Sequence, residues 1–135
     1  MKPRVYYVST RESAAQIAQA IAHSLKCTRE PLMPAYMPES VSLMFLGCEG
    51  HRADKVTMDF IAALSPNRVT NAALFHCGNA GQALAQMRRA LTARGVNVLD
   101  LTLSAPLKHL FGAGPQGEDL ERAAQFAQDC MAMIG

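Results

Sequence analysis

The residues best suited to chemistry sit close together near the amino end. Ser9, Thr10, Arg11 and Ser13 place three hydroxyls and a guanidinium within one short stretch, with Glu12 among them. The four residues before them, Val5-Tyr6-Tyr7-Val8, are branched or aromatic and favour a strand. The residues after them carry Ile17, Ala18, Ile21, Ala22 and Leu25 at the spacing of a buried helix face. A strand that turns into a helix aims free backbone N–H groups at whatever lies before the helix, and the helix dipole favours negative charge there. Such a turn can hold a phosphate. The plainer reading is that Ser9, Thr10 or Ser13 only caps the helix.

Two later stretches have the same character. Gly47-Cys48-Glu49-Gly50-His51-Arg52 follows an apolar run, and Gly78-Asn79-Ala80-Gly81 follows Cys77. Glycines allow tight turns close to a ligand, and Glu49 offers a hydrogen-bond acceptor or is simply an exposed loop acid. Cys48 and Cys77 read as small packing residues that could touch one another. His76, at a strand end, reads as a core histidine bonded to backbone; His51 reads as a solvated loop residue. Ser-His-Asp hydrolysis would need a G-x-S-x-G elbow, which is absent, as are the Walker pattern and the G-x-G-x-x-G fingerprint. Any chemistry must therefore come with a cofactor that the protein orients and tunes.

The elements that would position these turns alternate along the chain. Lys26 to Met33 is a weak strand that Pro31, Pro34 and Pro38 confine to a sheet edge. Val41 to Leu46 is nearly all apolar, as in a strand covered on both faces. Ala53 to Leu64 reads as a helix with Val56, Phe60, Ile61 and Leu64 inward, stopped by Ser65-Pro66-Asn67. Asn71 to Cys77 is a strand, and the helix after it runs to about Arg94, burying Leu84, Met87 and Leu91. Gly95 stands where a left-handed C-cap belongs. Val96 to Leu103 alternates like an edge strand. Ser104 to Gly117 is too rich in glycine and proline for regular structure, and Glu118 to Ile134 is a final helix with Leu120, Ala123, Ala124, Ala127 and Met131 on its apolar face. Strands alternating with helices predict a three-layer α/β/α fold on a five-stranded parallel sheet, in a single domain over residues 1–135. Ligands of such sheets bind beyond the carboxyl ends of the strands, where the three turns lie.

Composition narrows the function further. Of 135 residues half are hydrophobic, which excludes a disordered chain. A formal charge of +2 with no basic cluster beyond Arg88-Arg89 argues against nucleic acid as a partner. No apolar run reaches membrane length and no leader pattern is visible, so a cytoplasmic protein is expected. Four well-separated cysteines without a CxxC pair read as free thiols, not a zinc site or a disulfide framework.

In this arrangement the chain resembles the flavodoxins, carriers of flavin mononucleotide (FMN) on a sheet ordered 2-1-3-4-5. Ser9-Thr10-Arg11-Glu12-Ser13-Ala14 matches their S/T-x-T-G-N/S-T phosphate turn, and Phe111-Gly112-Ala113-Gly114-Pro115 with Asp119-Leu120, Ala123 and Phe126 is similar to their carboxyl-terminal ending. The resemblance implies a cofactor, FMN, with its phosphate on Ser9, Thr10, Arg11 and Ser13. It implies a flavin ring bordered by Gly47, Cys48, Glu49, Cys77, Gly78 and Asn79, with Glu49 accepting from the ring N3–H. It implies an electron carrier more than a stand-alone catalyst, passing single electrons to a redox partner. The mild basicity points to an acidic docking face on that partner. Three positions depart from the pattern: Arg11 replaces a hydroxyl, Glu12 a glycine and Ala14 a threonine, and no Trp is present to stack on a ring. Those departures point to the alternative, a flavodoxin-fold binding module or accessory subunit that has lost the flavin. A third reading, a tetrapyrrole or haem contact through His109, rests on the long connection alone.

Overall fold

The computed structural model describes residues 3–9, 11–33, 37–79, 81–107 and 114–134. Five parallel strands, β1 (Pro3–Tyr7), β2 (Arg29–Pro31), β3 (Val41–Glu49), β4 (Val69–Cys77) and β5 (Asn97–Ala105), form one sheet in the order β2-β1-β3-β4-β5. Helices α1 (Ser13–Ser24) and α4 (Gly117–Ile134) cover one face; α2 (Lys55–Ala62) and α3 (Ala83–Ala93) cover the other. This is the three-layer arrangement that the alternation of elements predicts, in the 2-1-3-4-5 order that the resemblance implies.

Strand parity divides the core in two, because successive side chains point to opposite faces. Leu43, Phe45, Ala73 and Phe75 pack with Ile17, Ile21, Phe126 and Ala127 under α1 and α4. Met44, Leu46, Ala72 and Leu74 pack with Phe60, Ile61, Met87 and Leu91 under α2 and α3. The two central strands are almost wholly buried, as their unbroken apolar runs require.

The ends of the helices follow local chemistry. Asp54 caps α2 by accepting from the Thr57 N–H at 3.0 Å. Asp119 reaches back from the first turn of α4 to accept from the Gln116 N–H at 2.8 Å. Gly95 takes φ +82° just past α3, above the Pro66 ring, as a left-handed stop should.

Several expectations need correcting. β3 does not end at Leu46 but continues through Gly47, Cys48 and Glu49, so these three residues are strand, not loop. β2 is only three residues long, because its prolines cannot extend the ladder. Val56 and Leu120, expected to face inward, are 40% and 37% exposed, because the buried faces run through Thr57, Phe60 and Ile61 in α2 and through Asp119, Ala123, Phe126 and Cys130 in α4, which leaves both at the margin.

Candidate functional site

The register of β3 decides what stands in the β1–α1 turn. Tyr7 pairs with Gly47, so Glu49 lies alongside Ser9, two residues beyond the end of β1. Leu43, Phe45, Gly47 and Glu49 share one parity and therefore one face, the face that α1 covers. Helix α1 begins at Ser13, and its N-terminus falls directly over the Glu49 carboxylate. Glu49 Oε1 accepts from the Arg11 N–H at 2.9 Å. Glu49 Oε2 accepts from the Ala14 N–H at 2.8 Å and from the Ser9 hydroxyl at 2.5 Å. The Ser9 oxygen in turn accepts from the Ala15 N–H at 3.3 Å.

The turn thus has the donors of an anion site, converging on the chain's own carboxylate. Its backbone keeps the sharp form such a site needs: Glu12, the residue before α1, has φ 64° and ψ −2°, in the left-handed region that favours glycine. Its side chain caps nothing, and the capping is done by Ser9 and Glu49 instead. Ser13 is fully buried, and its hydroxyl donates back to the Arg11 carbonyl at 3.5 Å. Thr10 lies outside the described residues.

The turns after β3 and β4 are tied to each other. The Gly50 N–H donates to the Cys77 carbonyl at 3.2 Å, and the Gln82 N–H donates to the His51 carbonyl at 3.1 Å. His76, wholly buried in β4, bonds the Gly50 carbonyl through Nε2. Burial holds the His76 pKa below its ordinary value, against the Gly50 carbonyl and Glu49, which both favour the charged ring. Gly78, at φ +107°, donates to the Ala105 carbonyl at 2.8 Å and so ties in the end of β5 as well. Asn79 is exposed and accepts from the Gly81 N–H through its own side chain.

The remaining residues expected at the site belong to the core. A Cβ on Gly47 would stand 2.0 Å from the Phe75 ring, so this glycine serves packing under α1. Cys48 belongs to the α2/α3 core and Cys77 to the α1/α4 core, on opposite faces of the sheet, so their side chains do not meet. Burial pushes both thiols up to about 12, which leaves them protonated and poor nucleophiles. His51 is exposed, with its ring set against Gly81. His109 and Phe111 lie outside the described residues, and so does the tetrapyrrole expectation placed on them.

A cavity of about 350 Å³ opens beside the turn, lined by Val8, Ser9, Glu12, Ala15, Leu32 and Val56. Another, of about 460 Å³, lies along the β2 edge between Arg4, Tyr6, Glu30 and Met37. The strand ends are the more informative place, because several hydrogen-bond donors converge there on one carboxylate.

The structure does not fit the phosphate of FMN as the turn stands. The donor set suits an anion, but the Glu49 carboxylate already occupies it, and a dianion brought beside it would be repelled. The bonds among Gly50, Cys77, His51 and Gln82 continue the β3–β4 pairing into the two turns that would flank a ring. Parity could have revealed the role of Glu49: once β3 is read through Cys48, Glu49 must face α1.

No protein-family model and no curated protein matches the sequence. Solved structures do match. Flavodoxin 2 from Bacillus cereus aligns with a TM-score of 0.75 at 17% identity, over 98% of this chain and 99% of that one. A flavodoxin from the domain Archaea aligns at 0.71 and 16% identity, over 99% of both chains. A flavodiiron core from Synechocystis aligns at 0.69 and 14% identity, over 98% of this chain and 35% of that one. The fold is that of the flavodoxins, and at these identities the likeness is one of backbone. Among the described residues no helix is long and apolar enough to cross a membrane.

Proposed function

We propose that this chain is a flavin-free binding module: a flavodoxin-fold protein that has closed its cofactor cleft and acts by docking on a partner enzyme as an accessory subunit. The Glu49 carboxylate in the β1–α1 turn carries this reading, because it takes the donors that a phosphate would need. The Ser9 hydroxyl, which turns to the same carboxylate, supports it as well. At the carboxyl ends of the strands Arg11 and Arg52 are exposed, with Glu12 beside Arg11. The two arginines suit an acidic face on a cytoplasmic partner, and salt should weaken that encounter within about a 10 Å screening length at 0.1 M. Purified protein should be colourless and leave FMN fluorescence unquenched on titration. A yellow preparation with one flavin per chain would overturn the reading.

A second reading, an FMN-binding electron carrier serving a redox partner, is favoured by one observation. Glu12 holds the left-handed φ of a glycine, so the turn keeps an anion-wrapping backbone despite its altered residues. In that reading Ser9, Thr10, Arg11 and Ser13 hold the phosphate, and Gly47, Cys48, Cys77, Gly78 and Asn79 border the ring. Glu49 must first leave the turn. Quenching of FMN by the unmodified protein, with tight one-to-one binding, is the result that selects this reading over the first.

A further inference from the structure

The mismatch between this turn and a phosphate comes down to one side chain. We infer that Glu49 is an internal counter-ligand: it takes the place of a cofactor headgroup in holding the β1–α1 turn shut, and so makes the fold independent of a bound anion. The inference rests on the flavin-free reading and deepens it.

Three observations converge. First, the principal donors, the N–H groups of Arg11 and Ala14, are backbone groups, so replacing the hydroxyls and glycine of the turn leaves them in place. The Ala14 N–H, on a fully buried residue, needs a partner within the fold, whereas the Arg11 N–H lies at the surface. Second, Glu49 satisfies them with both oxygens, one on each N–H, while Ser9 adds its hydroxyl to the second oxygen. A charged acceptor shared by several donors at a helix N-terminus is the arrangement a bound oxyanion adopts. Third, the carboxylate is delivered by the last residue of a buried central strand, with Gly47 and Phe75 locked beneath it, so it is held at the turn without a search. A tethered group of this kind competes at an effective concentration of about 1 mM or more, and free anions at lower concentration do not displace it.

The partner of the turn is therefore internal, and Glu49 is a positioning residue, not a catalytic one. Its effect is to hold three segments together: the turn after β1, the end of β3 and the start of α1. In a chain where an external anion did this, stability would follow the anion concentration. Here stability should be indifferent to phosphate until Glu49 is removed.

The test uses the full chain and two variants, with inorganic phosphate as the probe and sodium chloride to match ionic strength. Urea unfolding of the unmodified protein should give the same folded-to-unfolded ratio in either salt, to within about 2-fold. Glu49→Ser removes the carboxylate and opens the turn. If phosphate then binds with a Kd of about 1 mM, about 50 mM phosphate raises the folded-to-unfolded ratio of this variant about 50-fold over chloride. Equal responses of the unmodified protein and the Glu49→Ser variant, whether both null or both large, overturn the inference. Glu49→Gln keeps the size of the side chain and serves if the serine variant does not fold. Its Arg11 and Ala14 amide protons should move upfield and exchange faster than in the unmodified protein, and unchanged signals overturn the inference. FMN titration of the unmodified protein separates the two claims: binding there defeats the flavin-free reading, whereas the phosphate response of Glu49→Ser tests the counter-ligand directly.

Discussion

Replacing Gly47 by alanine asks whether this glycine is there for a ligand or for the core. The added Cβ would lie 2.0, 2.2 and 2.4 Å from three carbons of the Phe75 ring, where ordinary carbon contacts are about 3.5–4.0 Å. The ring would have to retreat by about 1.5 Å. It is fully buried among Ile17, Phe45, Leu103 and Phe126 in the α1/α4 core, where close packing leaves little slack. Overpacking of this kind costs about 1–3 kcal/mol, and a clash with a rigid ring belongs at the upper end. Alanine recovers about 0.5–1 kcal/mol through its lower backbone entropy loss in a strand, so the expected net loss for Gly47→Ala is about 2 kcal/mol. Urea unfolding followed by circular dichroism measures it. The decisive comparison is a cycle with Phe75→Leu, which removes ring atoms facing the new methyl. The double variant should recover about 1 kcal/mol or more relative to the sum of the singles. A Gly47→Ala protein within about 0.5 kcal/mol of the original, or a cycle with no coupling, would refute the packing account.

Other expectations follow from the same geometry. His76 is buried neutral, so the unfolded chain binds its proton more readily. Stability is complete above the ordinary value of 6.5 and falls as pH drops below it, a slope that His76→Gln should flatten in urea melts at pH 5 to 7.5. Of the four cysteines, Cys48, Cys77 and Cys130 are buried with thiols pushed up to about 12, so a maleimide should label Cys27 first in the native protein and the others only on unfolding. Early labelling of Cys48 in mass spectra would contradict its placement. Since Glu12 sits at φ 64°, Glu12→Gly should be about 1 kcal/mol more stable than Glu12→Ala in thermal melts, both variants lacking the carboxylate. The Thr57 hydroxyl is buried in α2 without a partner, so Thr57→Val should hold or raise the unfolding midpoint, by about 1 kcal/mol at most.

How much of this could be read from the sequence differed from element to element. The two buried central strands were legible because their apolar runs are bounded by turn residues, whereas the sheet order came only with the resemblance to the flavodoxins. The end of β3 was not. Gly47-Cys48-Glu49-Gly50 has the small, polar composition of a loop, and what keeps its first three residues in the sheet is nonlocal: the Phe75 ring over Gly47 and the α1 N-terminus over Glu49. That error of three residues changed the reading of the site, because it hid the parity that aims Glu49 at the turn. His76 was legible as a core histidine, but its tie to the Gly50 carbonyl was not, since it depends on the return of the chain after β3. Val56 and Leu120 show the converse limit: hydrophobic spacing locates a helical face only to within part of a turn, and the buried faces prove to be centred on polar Thr57 and Asp119 with their neighbours, one position away.

The outer strand β5 has a bearing on self-association. Its pairing with β4 slips between Ala72 and Leu74, so that Val98 and Thr102 flank extra residues that the ladder leaves unmatched. Asp100 stands fully exposed in that interval, near the Arg88 guanidinium. A long bare edge would offer a neighbouring molecule a continuous template for strand addition, but this one is bent and charged midway, which breaks it into pieces too short to seed stacking. The same irregularity that costs β4 part of its ladder thus guards the protein against growth into fibres.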